Sequence, residues 1–183
     1  IPLIAAGGIN SHEQFKELIS LGANAVQMGT PFAVSEEGDA HENFKRVLAD
    51  AKPEDIVTFM SVAGLPARAV RTPWLDNYLK NEAKLQNIAK VKPCTVAFDC
   101  LAACGLRDGI SKQGQFCIDT RLAYALAGDV NRGLFFRGTE KLPFGNAIRP
   151  VRELIEYMLT GLRPALSVVS NPGVRLMPEP VLA

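Results

Sequence analysis

Two short segments hold the residues best able to do chemistry: Ile4-Ala5-Ala6-Gly7-Gly8-Ile9-Asn10, and Val26-Gln27-Met28-Gly29-Thr30 further on. Each reads as a buried strand that ends abruptly in glycine, and the gap between them holds one helix. A phosphate dianion needs several N–H donors converging on it, and glycine turns at helix N-termini supply them, aided by the helix dipole. Gly7 and Gly8 let the backbone approach a ligand with no Cβ in the way. Gly29 adds a further N–H, Thr30 a hydroxyl, and Gln27 an amide suited to a ring or ribose edge. Either glycine motif alone is better explained as a tight strand-to-helix turn. Both together, one βα unit apart, favour a phosphate site of the kind a (β/α)8 barrel builds after its last two strands.

Other reactive side chains have simpler explanations. His12 and His41 are the only histidines, and each falls at the start of a helix, where a solvated side chain is expected. Neither has a partner nucleophile or acid implied by spacing, so neither is assigned to catalysis. Glu36, Glu37, Asp39 and Glu42 form an acidic cluster that the dipole of the helix they open explains without a metal. Arg68 and Arg71 suit an anionic substrate or cofactor, and a half-exposed strand with alternating Arg68, Val70 and Thr72 explains them equally well. Trp74, beside Pro73, reads as a packing anchor. The four cysteines, Cys94, Cys100, Cys104 and Cys117, all lie in one stretch. Four ordinary thiols rank first for them. An iron–sulfur cluster ranks second, because the spacing from Cys100 to Cys117 suits three of its ligands while the expected C-x2-C pair is missing. Zinc, which favours shorter pairs, ranks lower.

The elements that must position these residues follow from local pattern. Ser11 with Gln14 three residues later predicts a capping box opening a helix, with Phe15, Leu18 and Ile19 at helical spacing and Gly22 as its stop. Strand, glycine turn, helix, strand is a βαβ unit. A second amphipathic helix is expected from about 39 to 51, its inner face Phe44, Val47 and Leu48. Two β-rich pieces follow at 56–62 and 67–72. A helix over 74–91 puts Leu75, Tyr78, Leu79, Leu85 and Ile88 on one side. A short helix spans 119–127, a strand 133–136, and a last helix 149–162 buries Val151, Leu154, Ile155, Met158 and Leu159.

Composition bounds the rest. At 183 residues, 48% hydrophobic and 21% charged, the chain reads as globular, and its net charge of +1 gives no electrostatic case for nucleic acid or an anionic membrane. No apolar run approaches the roughly 20 residues of a membrane-spanning helix. A cytoplasmic location is expected.

The ordered set Pro2-Leu3-Ile4-Ala5-Ala6-Gly7-Gly8-Ile9, Leu21 through Phe32, and Gly64-Leu65-Pro66-Ala67-Arg68 resembles the FMN-binding part of the nitronate monooxygenase family. That family was formerly called 2-nitropropane dioxygenase, and it includes FMN-dependent enoyl-ACP reductases. Gly133-Leu134-Phe135-Phe136-Arg137-Gly138 and Val151-Arg152-Glu153-Leu154 resemble, more loosely, a C-terminal extension of some members. Pro31 departs from the family pattern, and its missing N–H excludes a contact there. The resemblance implies an α/β fold: the last two βα units of an FMN-binding TIM barrel over residues 1–72, then a mostly helical extension over 73–183 that contains the cysteine-rich segment 94–117. It implies that Ala6, Gly7, Gly8, Gln27, Met28, Gly29 and Thr30 hold FMN, with the phosphate on Gly7, Gly8, Gly29 and Thr30. The family's catalytic histidine lies in an Ala-Gly-Gly-His type segment that this sequence lacks. The chain is therefore expected to be the C-terminal part of a larger enzyme, partnered by the N-terminal half of the same barrel, with its catalytic residues unassigned. The implied reaction is oxidation of alkyl nitronates by O2, with NAD(P)H-dependent enoyl-ACP reduction as the alternative. A flavin-binding half-barrel without catalysis is a third reading. A homodimer is left open.

Overall fold

The computed structural model describes residues 1–61, 65–89, 94, 104, 107 and 116–164. The fold is α/β, and the chain divides into two compact units, one of residues 1–50 with 139–183 and one of residues 51–138.

The first unit opens with β1 (Ile4–Ala6), α1 (His12–Ser20) and β2 (Ala25–Gln27). β1 and β2 pair in parallel with Ile4 opposite Ala25 and Ala6 opposite Gln27, so the expected βαβ unit is present. The capping box forms as the sequence requires: Ser11 Oγ accepts from Gln14 N, and Gln14 Oε1 accepts from Ser11 N. A short helix α2 (Thr30–Ala33) follows β2 directly, with Gly29 as its N-cap. Pro31 sits in its first turn, where a missing N–H costs nothing because no intrahelical acceptor exists there. Helix α3 (Glu42–Asp50) buries Leu48 and Ala49, and it also buries the stem of Lys45, whose Nζ reaches Glu36 O at 2.9 Å.

Two of the sequence expectations for this unit are corrected. The last described helix, α6 in chain order (Val151–Thr160), buries Leu154, Tyr157 and Met158, whereas Ile155 and Leu159 are exposed. Its inward stripe runs along 154, 157 and 158 because Tyr157, an aromatic with a polar tip, takes the central core position. His12 is not a merely solvated residue: its Nδ1 donates to Met158 O at 2.8 Å, satisfying one of the orphan carbonyls at the end of α6. Gly161 closes that helix at φ +78, and a Cβ there would meet the His12 ring at 2.9 Å. Ile9, Leu154, Tyr157 and Met158 form the core, with Ala5, Phe15, Val26 and Met28 packed against it.

The second unit holds an antiparallel hairpin, β3 (Ile56–Met60) and β4 (Pro66–Val70), in the register Thr58 opposite Arg68. Helix α4 (Pro73–Ala89) follows, with Thr72 Oγ1 accepting from Leu75 N at its start, and α5 (Ile118–Leu126) comes later. One face of the hairpin packs Phe59 and Ala69 against Leu75, Tyr78, Phe116 and Leu134. Trp74 stacks on Tyr78 with centroids 5.6 Å apart and meets Phe116 edge-on, so it is the packing anchor expected of it. The expected strand at 133–136 reduces to a single antiparallel bridge between Phe136 and Ala69. Gly133, at the start of this segment, lies hard against Ala125 of α5.

Candidate flavin phosphate site

The parallel register sets the geometry. Because Ala6 stands opposite Gln27, the C-terminal ends of β1 and β2 lie abreast, and the turns Gly7-Gly8 and Met28-Gly29 leave from the same edge. Gly7 and Gly8 have φ of +89 and +70, a region that L side chains rarely adopt, so glycine is required at both. A Cβ on Gly7 or on Gly29 would find nothing within 4 Å. Both turns therefore present bare backbone to open space.

Each turn runs into a helix. After Gly8, Ile9 is buried as an anchor, and the side chain of Gln14 takes the N–H groups of Asn10 and Ser11, at 2.8 and 3.1 Å. Among the described residues the N–H groups of Gly8 and Ile9 donate to nothing. The N-terminus of α1 favours negative charge: the backbone N–H and the Ser11 hydroxyl hold the Glu13 carboxyl below its ordinary value of 4.5. The second turn is simpler. Gly29 caps α2, and Thr30 is its first residue, with backbone and hydroxyl at a helix start.

The side chains divide between two faces. Ala6, Ala25 and Gln27 lie on the exposed face of the strand pair, while Val26 and Met28 pack into the core. Of the seven residues that the sequence reading assigned to flavin, Ala6, Gly7, Gly8, Gln27, Gly29 and Thr30 are brought to one edge. Met28 shares that edge only through its backbone. The sequence reading missed Glu140, whose Cγ lies 3.7 Å from where a Gly8 Cβ would stand. No local spacing signals it, because more than 130 residues separate the two.

The other candidates sit elsewhere. Arg71 forms an exposed ion pair with Asp76 at 2.7 Å, and Arg68 is exposed on β4. The acidic cluster is not spent on the dipole of α3 alone: Glu37 Oε2 accepts from Val151 N at 2.8 Å and so caps α6, a helix more than a hundred residues away, while Glu42 pairs with Arg46. His41, the other histidine, accepts from Asn43 N through Nδ1 at 3.0 Å and so caps α3. Of the cysteines, Cys104 is buried and Cys94 and Cys117 are partly buried, while Cys100 lies outside the described residues. No group of His, Cys, Asp and Glu among the described residues is arranged to hold a metal ion, so the iron–sulfur expectation finds no support there.

Comparison with known proteins decides the family. A family model described as nitronate monooxygenase matches residues 1–161. The chain belongs to the nitronate monooxygenase family. This is a family of FMN-dependent oxidoreductases. A probable nitronate monooxygenase of Staphylococcus saprophyticus is 36% identical over 75 residues, covering 41% of this chain and 21% of that protein. One of Bacillus subtilis is 33% identical over 76 residues, covering 42% and 22%. Among solved structures, FabK from Thermotoga maritima superposes with a TM-score of 0.61 at 30% identity, over 87% of this chain and 43% of that one. Its M276A mutant gives 0.60 at 29% identity, over 88% and 41%. The matched region thus spans about a fifth of the curated relatives and less than half of FabK. No helix among the described residues is long and apolar enough to cross a membrane.

Proposed function

We propose that this chain supplies the phosphate-binding end of an FMN-dependent oxidoreductase that oxidises alkyl nitronates with O2. In this reading residues 1–72 are the last two βα units of a TIM barrel, and 73–183 form a C-terminal extension carrying the cysteine-rich segment 94–117. The remaining strands of the barrel come from the N-terminal half of the same enzyme.

One observation carries the reading. Two adjacent parallel strands end abreast, and each continues through a bare glycine turn into a helix start, with the N–H groups of Gly8 and Ile9 unpaired among the described residues. The residues fit the group. Gly7, Gly8, Gly29 and Thr30 would hold the phosphate through N–H groups and the Thr30 hydroxyl. Ala6 and Gln27, on the exposed strand face, would lie along the rest of the cofactor, and Met28 would contribute backbone alone. FMN, when bound, supplies the electron transfer between substrate and oxidant. The protein's share is to fix the phosphate and so orient the ring.

The curated relatives favour nitronate oxidation, and the likeness to FabK favours NAD(P)H-dependent enoyl-ACP reduction as the alternative. Assay of the full-length protein separates them. Oxygen consumption with an alkyl nitronate, and no NAD(P)H oxidation with an enoyl thioester, is the expected result. The converse assigns the chain to the reductases. FMN binding with neither activity leaves a flavin-binding barrel without catalysis.

A further inference from the structure

The second compact unit holds a charged group that the flavin reading does not use. Arg137 is only 6% exposed, and its Nε, fully shielded from solvent, has no hydrogen-bond partner among the described residues. Among the described residues its Nη1 reaches the carbonyl of the next residue, Gly138, at 3.4 Å. Burial pushes the guanidinium below its usual range, and the charge of Asp55 opposes this. Asp55 makes no ion pair with Arg137, and its Oδ2 accepts from Lys52 N at 2.9 Å. Taking a guanidinium out of water without a bonded anion is strongly unfavourable.

Its neighbour sharpens the problem. The bridge between Ala69 and Phe136 is antiparallel, and Arg137 N donates to Arg68 O at 3.2 Å. Arg68 and Arg137 therefore stand directly opposite each other and share one face of the sheet, where Cβ atoms lie roughly 4.5–5.5 Å apart. Like charges so placed destabilise a sheet. The next residue across that face is Thr58, the register partner of Arg68. The face is opposite the one that packs Phe59, Ala69 and Phe136 into the core. The side chains of Arg68 and Thr58 are exposed and bond to no described residue. The result is a row across three chain segments: a hydroxyl, an open guanidinium and a buried guanidinium whose Nε side is unspent.

We propose that Thr58, Arg68 and Arg137 form a binding site for a phosphoryl group. Two positive charges match a dianion, and Arg68 together with the Nη2 end of Arg137 can donate to two of its oxygens. The site is independent of the flavin reading, since it uses none of the same residues.

The test is thermal unfolding of the full-length, FMN-saturated protein in sodium phosphate against sodium chloride of equal ionic strength, for the wild type, Arg68→Ala and Arg137→Met. A ligand of the folded state raises Tm with its concentration. The wild type is expected to show a phosphate-dependent rise. Arg68→Ala, an exposed change that leaves the fold intact, is expected to weaken it about tenfold or more, the worth of a charge-assisted hydrogen bond. Arg137→Met is expected to abolish the rise while melting no lower than wild type in chloride, since a buried apolar chain replaces a buried charge. A larger rise with glycerol 3-phosphate than with inorganic phosphate would place the group on an esterified ligand, and the reverse on free phosphate; both support the site. An equal rise with sodium acetate, or an unchanged phosphate response in Arg68→Ala, overturns it.

Discussion

At the scale of single residues, the glycine turns are controlled by what stands beside them. Gly8 faces the stem of Glu140, an exposed carboxylate near the turn that would take the phosphate. An exposed like charge beside a bound anion is worth roughly 0.2–1 kcal/mol, the size of a surface ion pair with the sign reversed. Glu140→Gln is therefore expected to tighten FMN binding up to about fivefold, measured by flavin fluorescence titration. Unchanged or weaker binding would show that the carboxylate does not sense the phosphate. Much of this scale was legible in the sequence. Ser11 and Gln14 predict a capping box from their spacing alone, because that interaction is local. Glu140 against Gly8, Glu37 on the first turn of α6, and Arg137 beside Arg68 were not legible, since each joins residues that only the folded chain brings together.

At the scale of elements, the packing of α5 depends on the residue that the strand expectation misjudged. A Cβ on Gly133 would lie 2.7 Å from Ala125 Cα and 2.7 Å from a Phe135 ring carbon, both fixed in a buried region. Backbone on one side and a fully buried ring on the other leave no room to yield. Gly133→Ala is expected to destabilise the protein by about 1–3 kcal/mol, the usual range for overpacking, read as a lowered urea midpoint with unchanged slope. A midpoint equal to wild type would mean that α5 can shift. The helices themselves were legible from period and caps: α1, α3, α4 and α5 all form close to where apolar spacing places them. In α6 the inward face was misjudged at Ile155 and Leu159, because hydrophobicity ranked two aliphatic residues above Tyr157. Burial there follows the shape of the Ile9 and Phe144 surroundings, and Tyr157 lies against Phe144 at 5.6 Å.

At the scale of the whole molecule, the exposed side of β1 bears on the barrel reading. Leu3 and Ile4 are each 59% exposed, an apolar surface that a complete barrel would cover with its other strands. The isolated 183-residue chain is therefore expected to melt broadly at low temperature and to bind a hydrophobic dye. A sharp cooperative melt at high temperature would contradict the assignment of 1–72 to a larger barrel. The family itself was legible early, because the glycine turns and the segments around them are contiguous. The reaction was not, since the phosphate site proposed for these turns would serve an oxidase and a reductase alike.

The proposed function stands on FMN being held through its phosphate on the two turns after β1 and β2. Flavin absorbance and fluorescence of the full-length protein, wild type against Gly8→Asp with Gly29→Asp, test it most directly. Asp at residue 8 would take a strained positive φ, and both changes put a carboxylate where the phosphate would sit. Bound FMN in the wild type and its loss in the folded double variant are expected. A wild type that takes up no flavin after reconstitution, or a double variant that keeps it, would contradict the account.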